Sequence, residues 1–184
     1  MLEKIIALDK ELFVFLNELG SPAFDGLWLF ITKQTNWTPI FLLVFYLIYK
    51  KVGLKNLGIM ILFIAFLIPI CDQTANLFKY TFERLRPCND LQIKDIIRVV
   101  KQSDTFSFFS GHATNSMATT VFVYLIMRKY YKHIYLLFLF PLIFAYSRIY
   151  LGLHFPIDIL TGYTFGATFG FLFYKIYAFK FLKN

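Results

Sequence analysis

Charge is what this chain lacks most. Only 16% of its 184 residues are Asp, Glu, Lys or Arg, against about 25% in ordinary soluble domains. Hydrophobic residues make up 58%, and the mean hydropathy is +0.60. That balance excludes a soluble globular domain and a disordered chain. Cysteine is scarce too: Cys71 sits in an apolar run and Cys88 in a polar loop, poorly placed to meet, so no disulfide framework is implied. The N-terminus does not read as a cleavable signal peptide, because Glu3 comes early and no small-residue cleavage site follows. Internal repeats and low-complexity segments are missing as well, and the length suits one domain over residues 1–184.

Long apolar stretches take their place, each near the ~20 residues a helix needs to cross ~30 Å of hydrocarbon. Five spans are predicted at 22–50, 55–80, 110–128, 132–150 and 156–178, with a kink at Pro39 in the first. Gly20-Ser21-Pro22, Gly53 and Pro156 mark their borders. Before them, residues 1–20 repeat apolar side chains (Leu2, Ile5, Leu8, Leu12, Phe15, Leu19) at helical spacing beside Glu3, Lys4, Asp9, Lys10, Glu11 and Glu18. Such an amphipathic helix lies in the membrane interface. The expected fold is therefore all-α, a polytopic transmembrane bundle of six helices with a long polar loop over 81–109.

The net charge of +8 is unevenly spread. Lys50, Lys51, Lys55, Arg128, Lys129, Lys132, Lys180 and Lys183 lie in two short loops and the C-terminal tail, and all 11 acids lie elsewhere. Nucleic-acid binding is the competing reading, but short basic clusters flanking spans fit a topogenic signal far better. These loops are expected in the cytoplasm and the 81–109 loop in the periplasm or outside, in a bacterial inner membrane. The implied partner is the bilayer, with no nucleic acid.

Three polar clusters then fall at one end of the bundle: Lys79 to Pro87, Phe106 to His112, and Ser147 to Asp158. Lys79 and Arg86 are seven residues apart, two turns and one face of a helix, and Pro87 pushes Arg86 toward an extended conformation. Ser110 is a natural N-cap, and Gly111 admits an anion to the N–H groups of a helix start. Arg148 adds a planar fork matched to phosphate oxygens. With Pro156 at the first helical position, Asp158 can reach back to His154, leaving the other ring nitrogen free as a nucleophile or base. His112 supplies a second titratable group for the leaving oxygen. Asp72 and Asn76 share a helical face with Lys79 and are expected in supporting hydrogen bonds, whereas Asn115, Ser116 and Thr119 read as helix-packing contacts.

Each cation alone also reads as a snorkelling interface residue, and the His154–Asp158 spacing also fits a structural helix-start bond. Convergence on one end argues for a site instead. With only three histidines and no paired-carboxylate cluster beside them, no metal or other cofactor is expected.

The order Lys79-x6-Arg86-Pro87, Ser110-Gly111-His112, Ser147-Arg148-x5-His154-x3-Asp158 resembles the three-part signature of the type 2 phosphatidic acid phosphatase family, whose site is shared with vanadium haloperoxidases. The resemblance spans about residues 22–178. It implies that His154 is the nucleophile, His112 the general acid and Asp158 the orienter, with Lys79, Arg86, Ser110, Gly111 and Arg148 holding phosphate. Phe109 departs from the family pattern, which has proline before Ser-Gly-His. The implied activity is hydrolysis of a lipid phosphate monoester or diphosphate through a phosphohistidine. Candidate substrates are undecaprenyl diphosphate, phosphatidylglycerophosphate, phosphatidate and lipid A phosphate. A lipid-to-lipid phosphotransferase using the same site is the alternative. Sixteen residues separate His112 from Arg128 and Lys132 from Arg148, about 24 Å of helix, so the site is expected slightly below the outer membrane surface.

Overall fold

The computed structural model describes residues 1–182, so Lys183 lies outside the described residues. These residues form α1 (Leu2–Glu18), α2 (Asp25–Ile31), α3 (Thr38–Phe82), α4 (Gly111–Met127), α5 (Leu139–Tyr150) and α6 (Pro156–Phe181), with short 3-10 turns in the α1–α2, α2–α3 and α4–α5 links, a long loop over 83–110 between α3 and α4, and no strand among them. The fold is an all-α membrane bundle. Large apolar side chains such as Leu42, Leu62, Phe66, Leu142 and Leu160 are exposed along the helices, the surface a bilayer would cover.

On α1, Asp9, Phe13 and Asn17 recur every fourth residue and are buried, while Ile5, Leu8, Leu12, Phe15 and Leu19 point outward. The exposed apolar face suits the interface, and the buried stripe ties the helix to the bundle. Asn17 donates to the carbonyls of Arg98, Ile149 and Tyr150 and accepts from the Arg98 N–H, joining α1 to the end of α5 and to the long loop.

The first expected span is not one kinked helix. It breaks into α2 and the start of α3, and Pro39 lies in the first turn of α3 rather than at a bend. The physical reason lies in the polar run between them. Asn36 and Trp37 side chains cap the open carbonyls of Phe30 and Ile31 at 2.7 and 2.8 Å, and proline fits a helix start better than an interior. Farther on, Gly53 adopts φ 77°, ψ 171° and divides α3 as expected, a backbone state open to glycine at little cost. The part of α3 beyond Gly53 runs past Lys79 and stops at Glu83, whose φ of 45° closes the helix in a left-handed turn. The fourth span opens with a 3-10 turn, Ile134–Phe138, before α5.

α4 and α6 form the centre. A Cβ on Gly162, Gly166 or Gly170 would meet the Ser110, Thr114 or Ala118 carbonyl oxygen at 2.7, 2.4 or 2.4 Å. Glycine at every fourth position therefore lets the two backbones touch, as small residues do between membrane helices. That contact fixes the start of α4 against the start of α6. At the far end, Ile48, Met60, Leu67, Phe122, Ile126, Met127 and Tyr177 form the apolar core. The Tyr131 hydroxyl donates to the Leu47 carbonyl there and the Lys51 ammonium lies over the Tyr131 ring, which brings two of the basic loops together.

Candidate active site

His154 sits in the tight connection between α5 and α6. The N–H groups of Leu153 and His154 both donate to the Arg148 carbonyl, at 2.9 and 3.3 Å. Pro156 then starts α6, and Asp158 in its first turn accepts the Phe155 N–H at 2.9 Å. The Asp158 carboxylate lies across the turn from the imidazole, with Oδ2 3.4 Å from His154 Nδ1. The expected pairing is thus present in position, at a distance longer than a full hydrogen bond. On the other side of the ring, Arg86 Nη1 lies 3.0 Å from Nε2. A guanidinium only donates, so Nε2 is the acceptor and Nδ1 carries the proton. Burial, reinforced by Arg86, Arg148 and Lys79, holds the imidazole well below its ordinary range. The ring is therefore neutral, with one nitrogen lone pair directed at the cationic cluster.

The cations reach this point by separate routes. Because α3 ends at Phe82, Lys79 and Arg86 do not share a helical face; Arg86 is extended and follows the Glu83 turn. Its guanidinium is fixed by the Thr105 carbonyl and hydroxyl, both at 2.8 Å, and by the Leu153 carbonyl at 2.9 Å. Arg148 is buried and donates through Nη1 to the Thr32 hydroxyl at 2.6 Å, leaving Nε buried without a partner. Such an orphaned donor is costly unless a ligand completes it.

Ser110 caps α4, accepting from the Ala113 N–H, and its own N–H donates to the Asp158 carbonyl at 3.1 Å. The start of α4 is thereby locked to the start of α6, and its open N–H groups favour an anion. His112, in the first turn of α4, has its ring 5.3 Å from that of Phe144. It lines the same cavity as Lys79.

A cavity of about 500 Å³ opens from this cluster into the bundle, passing Lys79, Gly111 and His112 and continuing along Phe41, Ile68, Val123 and Phe144. A smaller one of about 180 Å³, lined by Asn76, Lys79, Asp104 and Thr105, lies on the other side of Lys79. The two supporting residues differ. Asp72 accepts from the Asn115 amide at 2.7 Å and lines the larger cavity. Asn76 is exposed, lines the smaller one and makes no side-chain hydrogen bond among the described residues. Asn115, Ser116 and Thr119 also face the larger cavity, so they are not packing contacts alone. Phe109 is fully buried and stacks on Phe165 with centroids 4.8 Å apart, so the departure from proline is absorbed by an aromatic cluster.

Several residues at the site carried no expectation. Arg84 bridges Asp158 and Asp9, and Ser107 donates to Asp158 through a short bond. Thr32 and Thr105 hold the two arginines. Arg84 lies two residues from the Arg86-Pro87 pair, the one signal that could have drawn attention to it.

Fold and site together define a membrane-embedded helical bundle with a cationic cluster beside an apolar cavity. Residues 53–182 match the PAP2 superfamily, and the chain belongs to it. It is 32% identical over 180 residues to the lipid A 4'-phosphatase of Bacteroides thetaiotaomicron, covering 96% of this chain and 80% of that protein. It is 29% identical over 173 residues to the undecaprenyl-diphosphatase of Sulfolobus acidocaldarius, covering 92% and 79%. The transmembrane PAP2 type phosphatidylglycerolphosphate phosphatase of Bacillus subtilis shares the fold with a TM-score of 0.71 at 20% identity, over 97% of this chain and 88% of that one.

Proposed function

We propose that this protein is an integral-membrane lipid phosphatase acting through a phosphohistidine on a lipid phosphate monoester or diphosphate. The observation that carries the reading is the junction at Lys79 and His112. There Lys79 and His112 line an apolar cavity of about 500 Å³, and the neutral, buried His154 lies behind them with Arg86 at 3.0 Å from its Nε2. The charge cluster suits the phosphate and the cavity suits a tail.

In the proposed reaction, a phosphate oxygen takes the place of Nε2 as the acceptor of the Arg86 N–H. Nε2 attacks phosphorus in line, the P–O bond to the lipid alcohol or phosphate breaks, and His112 protonates the departing oxygen. Lys79, Arg86, Arg148 and the N–H groups opening α4 stabilise the equatorial oxygens, while Asp158 faces the Nδ1–H. Water deprotonated by His112 then cleaves the P–N bond and releases phosphate. No step is routed through a metal, and full activity is expected in excess chelator. Loss on chelation, restored by a divalent ion, would contradict this.

The names of the relatives direct attention to lipid A phosphates and undecaprenyl diphosphate, with phosphatidylglycerophosphate and phosphatidate beside them. Phosphate release by the purified protein from this panel tests the reading. Release from at least one lipid supports it. Release from none, or transfer to a second lipid without free phosphate, would overturn it, the latter in favour of a phosphotransferase. The basic residues opposite the site support placing it at the periplasmic side of an inner membrane. A periplasm-dependent reporter should be active within residues 94–103 and silent after Asn184; the reverse pattern would refute that orientation.

A further inference from the structure

A carboxylate that serves a nucleophilic histidine has two tasks: to face the ring N–H and to keep a negative charge beside it. Asp158 performs the first under crowded conditions. Its Oδ2 accepts from the Phe155 N–H and from Ser107 and lies 3.4 Å from His154 Nδ1. Its Oδ1 is held at 2.8 Å by Arg84 Nη1. Arg84 is itself clamped, because Nη2 lies 2.6 Å from Asp9 Oδ2 on α1 and the guanidinium carbon sits 4.0 Å from the centre of the Phe155 ring. The other Asp9 oxygen accepts the Ile157 N–H at 2.9 Å, an otherwise open donor in the first turn of α6. Asp9 and Asp158 are both buried.

We propose that Arg84, shared between Asp9 and Asp158, is a positioning residue for the histidine, and that α1 is therefore part of the catalytic assembly as well as an interfacial anchor. The proposal rests on His154 being the nucleophile. Its physical basis is geometry and charge balance. A fork held at both prongs and stacked on a ring fixes the carboxylate plane. Two carboxylates around one guanidinium leave one negative charge in the group. Without Asp9, Arg84 would cancel Asp158, and the positive ring formed on attack would lose its counter-charge. Of the other charged groups facing His154, Arg86 comes from the long loop, Arg148 from α5 and Lys79 from α3, all positive, with the titratable His112 on α4. The negative charge of the Asp9–Arg84–Asp158 group is thus a minority contribution whose loss the ring will register.

The test compares Asp9→Asn, Arg84→Gln and Arg84→Lys in the full-length purified protein, by kcat, KM, the pH–rate profile and thermal unfolding. Arg84→Gln should lower kcat about a hundredfold and Asp9→Asn about tenfold, with KM within about twofold, as misplacement of a catalytic group by ångströms does. Removing a negative charge disfavours the protonated ring, so Asp9→Asn should move the acid limb of kcat/KM to lower pH. Removing a positive charge does the opposite, so Arg84→Gln should move it to higher pH. Arg84→Lys keeps the charge but not the fork: kcat should stay depressed with the acid limb at its wild-type position. If Asp9→Asn does not accumulate as folded protein, Arg84→Lys against Arg84→Gln decides alone. Unmoved acid limbs in folded Asp9→Asn and Arg84→Gln, or a raised KM with unchanged kcat, would overturn the proposal. Failure of the nucleophile reading is seen separately, as turnover retained by His154→Ala.

Discussion

At one end of the bundle the interior is Asp9, Asn17, Arg86, Arg148, His154 and Asp158; at the other it is Ile48, Met60, Phe122, Ile126, Met127 and Tyr177. The first set is joined by directional bonds, with Arg148 Nε and His154 Nδ1 left as buried donors without a full partner. The second is held by shape and dispersion, which tolerate exchange of one apolar side chain for another of like volume. The contrast separates two requirements on one chain. The apolar end has only to exist and pack, whereas the polar end has to place charges to within fractions of an ångström. α4 and α6 connect them, since the glycine contacts run from Ser110 at the site to Ala118 near the apolar core.

The comparison is broken most strongly at the reacting group. His154→Ala should abolish turnover, and Asp158→Asn should lower kcat on the order of 10⁴-fold, the loss seen when an analogous orienting carboxylate is neutralised in a serine protease triad. Phe122→Ala at the opposite end should leave kcat nearly unchanged while lowering the unfolding midpoint, since it opens a cavity worth about 3 kcal/mol or more. Steady-state rates and thermal unfolding of the same samples check both.

A smaller effect is expected where the two ends are coupled. Gly166→Ala drives a Cβ into the Thr114 carbonyl, 2.4 Å away, and neither backbone can yield without shifting the helix that carries His112. Destabilisation of about 1–3 kcal/mol is expected, with a fall in kcat. Gly58→Ala meets nothing within 4 Å and should be neutral or stabilising by up to about 1 kcal/mol. Equal unfolding midpoints for these two variants would contradict the role given to the glycine stripe.

The mildest perturbation is pH. Burial and the neighbouring cations hold His154 well below its ordinary range, so the folded site resists a proton that the unfolded chain accepts near pH 6.5. The unfolded state then binds more protons, and stability falls as pH drops below that value. His154→Gln should lose less stability than the wild type between pH 7 and pH 5. A steeper loss in the variant would contradict the assignment.

Much of this was legible in the residues. Ser110-Gly111-His112 and His154 with Asp158 are local patterns whose geometry follows from the start of a helix, so their placement could be read from spacing and capping rules. Glycines 162, 166 and 170, spaced by four, are equally legible as a contact stripe between membrane helices. Arg84 with Asp9 and Arg148 with Thr32 are different: their partners lie 75 and 116 residues away. Only the packing of α1 and α2 against the site decides which polar side chain a given arginine finds. The Lys79–Arg86 face failed for a local reason, the left-handed turn at Glu83, which no glycine or proline at that position announced. Pro39 misled in the opposite sense, since a proline in an apolar run marks a kink or a new start, and the capping of Phe30 and Ile31 by Asn36 and Trp37 decided for the start.

The central claim is that the convergence at the polar end makes His154 the group that takes the phosphoryl. Rapid non-acid quenching of the enzyme during turnover of a radiolabelled lipid phosphate, followed by phosphopeptide mapping, tests it directly. The account predicts an acid-labile label on the peptide holding His154, increased in wild type by trapping at low temperature and absent in His154→Ala. Label on His112, or label persisting in His154→Ala, would contradict it.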